Sequence, residues 1–365
     1  METNDQIESL LKKGVHEGVY PGAVLLVAQG GKIFLLAAAG RRSLIPEVAP
    51  MERETIFDLA SLTKPLATTL AVMKLVEDGT IELDQTLDTL LTQNVPEEKR
   101  SISLKMLLSH SGGFPDWRPF YMDLDRFPMQ ERKGLLRGRL LEIPLIFPPG
   151  RETLYSDLGF MMLEWIIEEA AGIPMDLFLD RFFFKPLSLQ RTFICNAQIQ
   201  RRFRADQFAA TEKCPWRGRV IQGTVHDENA YVLGGYSGHA GLFGTCEEVY
   251  CLASLLMKHF DGQQDDFLRP ETVRTFFTPT RSAKHGTWAL GWDTPSLENS
   301  SSGSYFSRNS VGHLGFTGTS IWMDLDRDVI VIFLTNRVHP VRNNEKIRTF
   351  RPMLHDAIMG ELGLR

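Results

Sequence analysis

Apolar residues fill Gly22 to Ala28, give way to Gly30-Gly31 and resume from Lys32 to Ala39. Two short apolar runs around a double glycine predict a β-hairpin. The far end carries matching material. His313 to Asp324 and Val329 to Thr335 are rich in strand formers and meet at Asp326-Arg327-Asp328, which predicts a second hairpin, and Thr287 to Asp293 reads as another strand. Met353 to Leu362 then reads as a helix. Between these ends the spacing changes: from Ser61 to His259 helical patterns dominate, broken by loops rich in Pro and Gly. Strands at both termini around a helical middle predict an α+β chain. One split domain, residues 1–56 and 284–365, would form an antiparallel sheet covered by the N- and C-terminal helices, with 57–283 as a mostly helical insertion. Chemistry is expected at their junction.

Composition narrows the function classes. The chain has 365 residues, 43% of them hydrophobic and 23% charged, enough for a large core. A formal net charge of −5 gives no electrostatic case for nucleic acid binding. No uninterrupted apolar run is long enough to span a membrane. Met1 to Asp5 lacks the basic and apolar segments of a secretory signal, so a cytoplasmic location is expected. Cys195, Cys214, Cys246 and Cys251 show no Cys-x-x-Cys spacing and read as free core thiols. His226-Asp227-Glu228 lacks a matching His or Cys set, so neither a metal nor a cofactor is expected. Nothing here fixes the oligomeric state.

The chemistry starts at Ser61-Leu62-Thr63-Lys64. Residues three apart share a helix face, which brings an amine beside a hydroxyl and makes a serine a candidate nucleophile. The pattern is weak alone: about one such match is expected in a chain this long, and Ser9-Leu10-Leu11-Lys12 is another. Context separates them. Ser9 lies in a polar helix. Ser61 follows Asp58, a good N-cap type, and precedes Leu66, Leu70, Met73 and Val76 at helical spacing, with Gly79 as a stop. The dipole at such a helix start favours a deprotonated lysine. Tyr155-Ser156-Asp157 follows Pro148-Pro149-Gly150 and precedes a helix with Leu158, Met162, Trp165 and Ile166 on one stripe, ending at Gly172. It outranks Tyr121-Met122-Asp123, which has no such helix to brace it. Gly312 to Gly318 opens the C-terminal hairpin, where glycines allow close approach by a ligand and His313 could meet a substrate carboxylate. Its near-copy, Gly238-His239-Ala240-Gly241, reads as a loop turning into a helix.

In that order these motifs resemble the serine β-lactamase and penicillin-binding-protein superfamily, and most of all its class C-like branch of esterases and D-amino-acid peptidases. Leu107 to Gly113, Lys185-Pro186-Leu187 and the run Val225 to Ala230 are similar to that branch as well, the last to a subgroup with muropeptide amidases. The resemblance implies a β-lactamase/transpeptidase-like fold and acyl transfer on a small-molecule or peptide-like substrate. Ser61 would be the nucleophile, Lys64 the base and Tyr155 the proton relay. The Ser61 and Phe316 N–H groups would form the oxyanion hole, and Asp157, His313, Gly315 and Thr317 would contact substrate. His226 and His239 stand as secondary candidates. Two departures point away from an efficient β-lactamase: Asp157 where the second motif has Asn, and His313 where lactamases have Lys. An ester or peptide-like amide is therefore the expected substrate. A true β-lactamase, a D,D-peptidase and a non-turnover penicillin sensor are the alternatives. An α/β-hydrolase is disfavoured because Gly235-Tyr236-Ser237-Gly238 misses the glycine that Gly-x-Ser-x-Gly requires.

Overall fold

The computed structural model describes residues 2–196, 202–280 and 286–365. Helix α1 (Glu2–His16) leads into strands β1 (Gly22–Gln29) and β2 (Lys32–Ser43), joined at Gly30-Gly31 as the double glycine predicts. Both glycines adopt positive φ, which the tight reversal needs and which costs glycine no Cβ strain. A short β3 (Ala49–Pro50) borders β2, and β4 (Phe57–Asp58) opens the helical middle. Then come α2 (Leu70–Glu77), α3 (Asp157–Ala171), β5 (Phe193–Ile194), β6 (Leu242–Gly244) and α4 (Cys246–Asp261). The chain closes with β7 (Ser310–Leu314), β8 (Ser320–Asp324), β9 (Val329–Thr335) and α5 (Ile347–Glu361).

The main sheet has six strands in the order β3-β2-β1-β9-β8-β7. The two chain ends meet where β1 pairs antiparallel with β9, Ala23 opposite Thr335 through Gln29 opposite Val329. Alternation sorts the side chains onto two faces. Ala23, Leu25, Val27, Val331 and Phe333 pack under Ile7 and Leu11 of α1 and Phe350, Leu354 and Ile358 of α5. Val24, Leu26, Ile330, Ile332 and Leu334 face the helical middle, against Leu66 and Leu70. With helices on both faces, β1 is buried through Ala28, which is why its sequence is an apolar run instead of an alternating one. This is the expected α+β architecture.

Several expectations change in detail. Thr287 to Asp293 is no strand: it makes isolated bridges, Trp288 with Asp293 and Asp293 with Gly312. Gly291 turns the chain there with φ +80° and lies against the Thr69 side chain. His313 to Asp324 is two strands, because the chain turns through Gly315 to Thr319 between β7 and β8. The short strand β6 separates Gly238-His239-Ala240-Gly241 from α4. The C-terminal helix starts earlier than expected, at Ile347. Cys195, Cys214 and Cys246 are buried, whereas Cys251 is exposed. The expected domain boundary between residues 283 and 284 lies outside the described residues. Among the described residues, no helix is long and apolar enough to cross a membrane.

The β7–β8 turn is pressed against the segment that carries Ser61. A Cβ on Gly315 would lie 2.0 Å from Thr319 Oγ1 and 2.6 Å from the Leu59 carbonyl. Gly315→Ala should therefore force the two segments apart and destabilise the protein by about 1–3 kcal/mol. The expected reading is a lower urea midpoint at unchanged m value.

Candidate active site

Ser61 sits on a backbone held from several sides. Chain entry is fixed by Asp58, whose Oδ1 accepts the Ala60 N–H at 2.9 Å and whose Oδ2 accepts the His226 N–H at 2.6 Å. The first bond lets Ala60 hold φ +49°, a left-handed conformation unusual for a residue with a Cβ. Residues 60–62 form a 3₁₀ turn, 64–69 a π-helical turn, and only then does α2 begin. Thr63 Oγ1 donates to the Ala60 carbonyl at 2.6 Å and accepts the Leu242 N–H at 2.9 Å, tying this turn to β6. Thr317 and Thr319 donate their hydroxyls to the carbonyls of Asp58 and Leu59, at 2.8 and 3.0 Å.

Lys64 is fully buried, and its ammonium group has three acceptors. Nζ donates to Ser61 Oγ at 3.1 Å, Asp157 Oδ1 at 2.7 Å and the His239 carbonyl at 3.3 Å. Burial by itself would lower its pKa, but the Asp157 carboxylate and Tyr155 outweigh that and hold it above the usual lysine value. The deprotonated lysine expected from the helix dipole is thus corrected: the resting group is a cation.

Tyr155 reaches the same cluster from the loop before α3. Lys64 Nζ lies 4.7 Å from its ring centroid. Burial raises the phenol pKa, more than Lys64 pulls it down, so the phenol keeps its proton. The ring packs on His110, Trp288 and His313, with centroids 4.7, 5.6 and 6.0 Å away. His110 braces this loop by accepting the Ser156 N–H on Nδ1 at 3.1 Å, while Ser156 caps α3 through the Gly159 N–H.

His313 is buried in β7. Its Nδ1–H donates to the Leu314 carbonyl at 2.9 Å, and among the described residues its Nε2 has no partner. Burial, reinforced by nearby Lys64, pushes its pKa down to about 3. The imidazole is neutral at neutral pH and brings no positive charge to a substrate carboxylate, as the sequence had suggested it could. Gly315 and Thr317 also differ from expectation. Both are buried against the protein's own Asp58-Leu59 backbone and neither lines the cleft.

The cleft above Ser61 has a volume of about 340 Å³. Ser61, Trp117, Tyr155, Asp157, His239 and Phe316 line it. Phe316 is 47% exposed and its ring stacks on His226, centroids 5.5 Å apart. Among the described residues, neither the Ser61 nor the Phe316 N–H has an acceptor. His239 Nε2 meets Asp227 Oδ1 at 2.9 Å, and despite burial the Asp227 and Asp157 carboxylates raise its pKa. His226 Nε2 meets Glu212 Oε2 at 3.1 Å. Arg342 lies on both Glu212 and Glu228, so the grouping of these two carboxylates with Cys214 already holds a cation. Tyr121 packs on Trp216 outside the cleft, and Ser9 and Lys12 are exposed on α1.

Sequence reasoning missed Glu164, Glu212 and Arg342, and took Asp58 only as a cap. Glu164 had a legible signal, a lone acid inside the apolar run of α3. Buried there, its Oε2 accepts the Ser237 hydroxyl at 2.6 Å and the Gly238 N–H at 3.1 Å. That pins the turn whose next carbonyl, His239, reaches Lys64.

Residues 7–351 match the family model described as Beta-lactamase. A Bacillus subtilis (strain 168) protein named N-acetylmuramyl-L-alanine amidase is 31% identical, covering 93% of this chain and 82% of the relative. A protein of Escherichia coli (strain K12) named putative D-alanyl-D-alanine carboxypeptidase is 30% identical, covering 95% and 85%. Two solved structures share the fold. EstCE1, described as a hydrolase with promiscuous acyltransferase activity, superposes with TM-score 0.72 at 22% identity, over 96% of this chain and 98% of that one. The octameric penicillin-binding protein homologue from Pyrococcus abyssi gives 0.75 at 19% identity, over 98% and 77%.

Asp58 offers the direct check on how the Ser61 turn is held. Asp58→Ala leaves two buried N–H groups, of Ala60 and His226, without acceptors, at about 1–3 kcal/mol each. The expected outcome is a lower midpoint in chemical denaturation together with a fall in whatever turnover Ser61 supports.

Proposed function

This chain belongs to the beta-lactamase family of serine hydrolases, and on that premise we propose that it cleaves an ester or peptide-like amide through an acyl-enzyme on Ser61. The observation that carries this reading is the 3.1 Å hydrogen bond between the buried Lys64 Nζ and Oγ of Ser61, which lines the cleft. Ser61 Oγ attacks the substrate carbonyl carbon. Its proton passes to the Lys64–Tyr155 pair after that pair has given one up. The carbonyl oxygen becomes an oxyanion held by the Ser61 and Phe316 N–H groups, which have no acceptor of their own among the described residues. When the tetrahedral centre collapses, Tyr155 hands the proton to the departing nitrogen or oxygen. Water then attacks the acyl carbon, giving its proton to the same pair, and the acid leaves as Ser61 regains its hydrogen.

The charges around the cleft favour an amide or ester over a substrate recognised by a terminal carboxylate. His313 is neutral, and Arg342 is shared by Glu212 and Glu228. Asp116, Asp157, Asp227 and Glu228 all line the cleft. Of the activities that the two relatives' names carry, the amidase fits this setting better than the carboxypeptidase.

Treatment with p-nitrophenyl acetate followed by peptide mapping should place an acetyl group on Ser61. A panel of esters, muropeptide amides, D-residue peptides and β-lactams then ranks the substrate classes, with the amides or esters turned over fastest. Ser61→Ala should lower kcat by roughly 10³-fold or more. Labelling at another residue, or wild-type turnover in Ser61→Ala, would falsify the assignment.

A further inference from the structure

We propose that Asp157 is the residue that keeps Lys64 charged, so that Ser61 is activated only after the Lys64–Tyr155 pair has released a proton. This gives Asp157 a positioning and charge-setting role in place of the substrate contact that its motif suggests. It rests on the reading of Ser61 as nucleophile.

Geometry carries the proposal. Asp157 Oδ1 lies 2.7 Å from Nζ, the shortest of the three bonds that Lys64 makes. The lysine side chain is inaccessible to solvent and that of Asp157 is 17% exposed, so water screens the pair weakly. Three acceptors, on the nucleophile turn, at the start of α3 and on the turn before β6, match the three hydrogens of an ammonium group. The Ser61 hydroxyl can itself donate to a neutral amine, so it is the short contact with a carboxylate away from water that favours the charged form. An asparagine at 157 would still offer a carbonyl oxygen, but no charge.

The phenol and two of the imidazoles near Lys64 are neutral and do not compete with it for the Asp157 charge. Tyr155 is a neutral phenol, because burial outweighs the pull of Lys64. His110 is neutral, held down by burial and by Lys64, and His313 is neutral for the same two reasons. Burial lowers the pKa of His239, but Asp227 and Asp157 outweigh it and raise the value, while nearby Lys64 opposes a charge there. Asp157 is therefore the anion in contact with Lys64, with Asp227 engaged by His239.

Proton accounting then fixes a sequence of events. In the resting cluster Lys64 and Tyr155 both hold their protons, so neither can accept the one on Ser61. Loss of one proton to solvent leaves an amine or a phenolate. That base takes the Ser61 proton as the Oγ–C bond forms, and the same proton leaves on the departing group. The acylation rate must rise with pH and level off once the cluster has lost its proton. Removing the Asp157 charge weakens the hold on the Lys64 proton, so the rise moves to lower pH.

The test is the rate of Ser61 acetylation by p-nitrophenyl acetate against pH, read by intact mass, in wild type, Asp157→Asn and Asp157→Glu. The midpoint of the rise should fall by about one pH unit or more in Asp157→Asn, with KM little changed, while Asp157→Glu stays near wild type. A uniform drop in rate with the midpoint in place overturns the proposal, because it marks a structural role. A change confined to KM overturns it in favour of substrate contact. Absence of acetyl-Ser61 in wild type removes the nucleophile reading, and this inference falls with it. A second measurement needs no altered Asp157: NMR of wild-type protein carrying ¹³C-lysine, with the Lys64 signal identified through Lys64→Arg. Lys64 should be an ammonium at neutral pH, and a neutral amine there overturns the proposal even where Ser61 is labelled.

Discussion

One buried cation organises this site. Lys64 has no water to solvate it, and an unpaired charge in such a place is too costly to persist. Its acceptors must therefore be delivered with good geometry, and they arrive from three separate stretches of chain. Ser61 comes from the preceding turn, Asp157 from the start of α3, and the His239 carbonyl from the turn before β6. A nucleophile placed by such a junction is located by tertiary structure as firmly as by its own backbone.

Most of the surrounding polar structure serves those three deliveries. Asp58, Thr63, Thr317 and Thr319 hold the residues leading into Ser61. Glu164 and Thr68 hold the 237–239 turn, the latter through its hydroxyl on the Gly238 carbonyl at 2.5 Å. Lys133 meets Glu164 at 2.5 Å and Glu168 at 2.8 Å, so the buried acid that fixes the turn has its own counter-ion. His110 and Trp288 pack the Tyr155 ring. Rigid elements with satisfied polar groups behind them are what keep reactive atoms within a hydrogen bond of one another.

The charges in and behind the cleft are largely paired with one another. Lys64 meets Asp157, His239 meets Asp227, and Arg342 meets Glu212 and Glu228. Paired groups have little field left for a distant ion. That setting suits orientation of a neutral carbonyl by hydrogen bonds and by the flanking Phe316 and Trp117 rings.

Much of this was written in local sequence. Apolar runs around Gly30-Gly31, and before and after Asp326 to Asp328, gave the strands, since a run of strand formers and the turn residues that bound it act within a few positions. The same holds for Ser61 beside Lys64, a spacing that one helical turn dictates, and for Tyr155 ahead of a capped helix. Thr287 to Asp293 misled because Gly291 bends toward Thr69, a contact more than two hundred residues away in sequence. The charge of Lys64, the neutrality of His313 and the structural use of Gly315 and Thr317 could not be read at all. Each depends on burial and on partners from distant segments: Asp157 for the lysine, a dry interior for the histidine, and the Asp58-Leu59 backbone for the glycine and threonine. The sequence by itself determined which residue types stand near the nucleophile. Tertiary structure decided their protonation and their partners, because desolvation and Coulomb interactions are set by what surrounds a group in space.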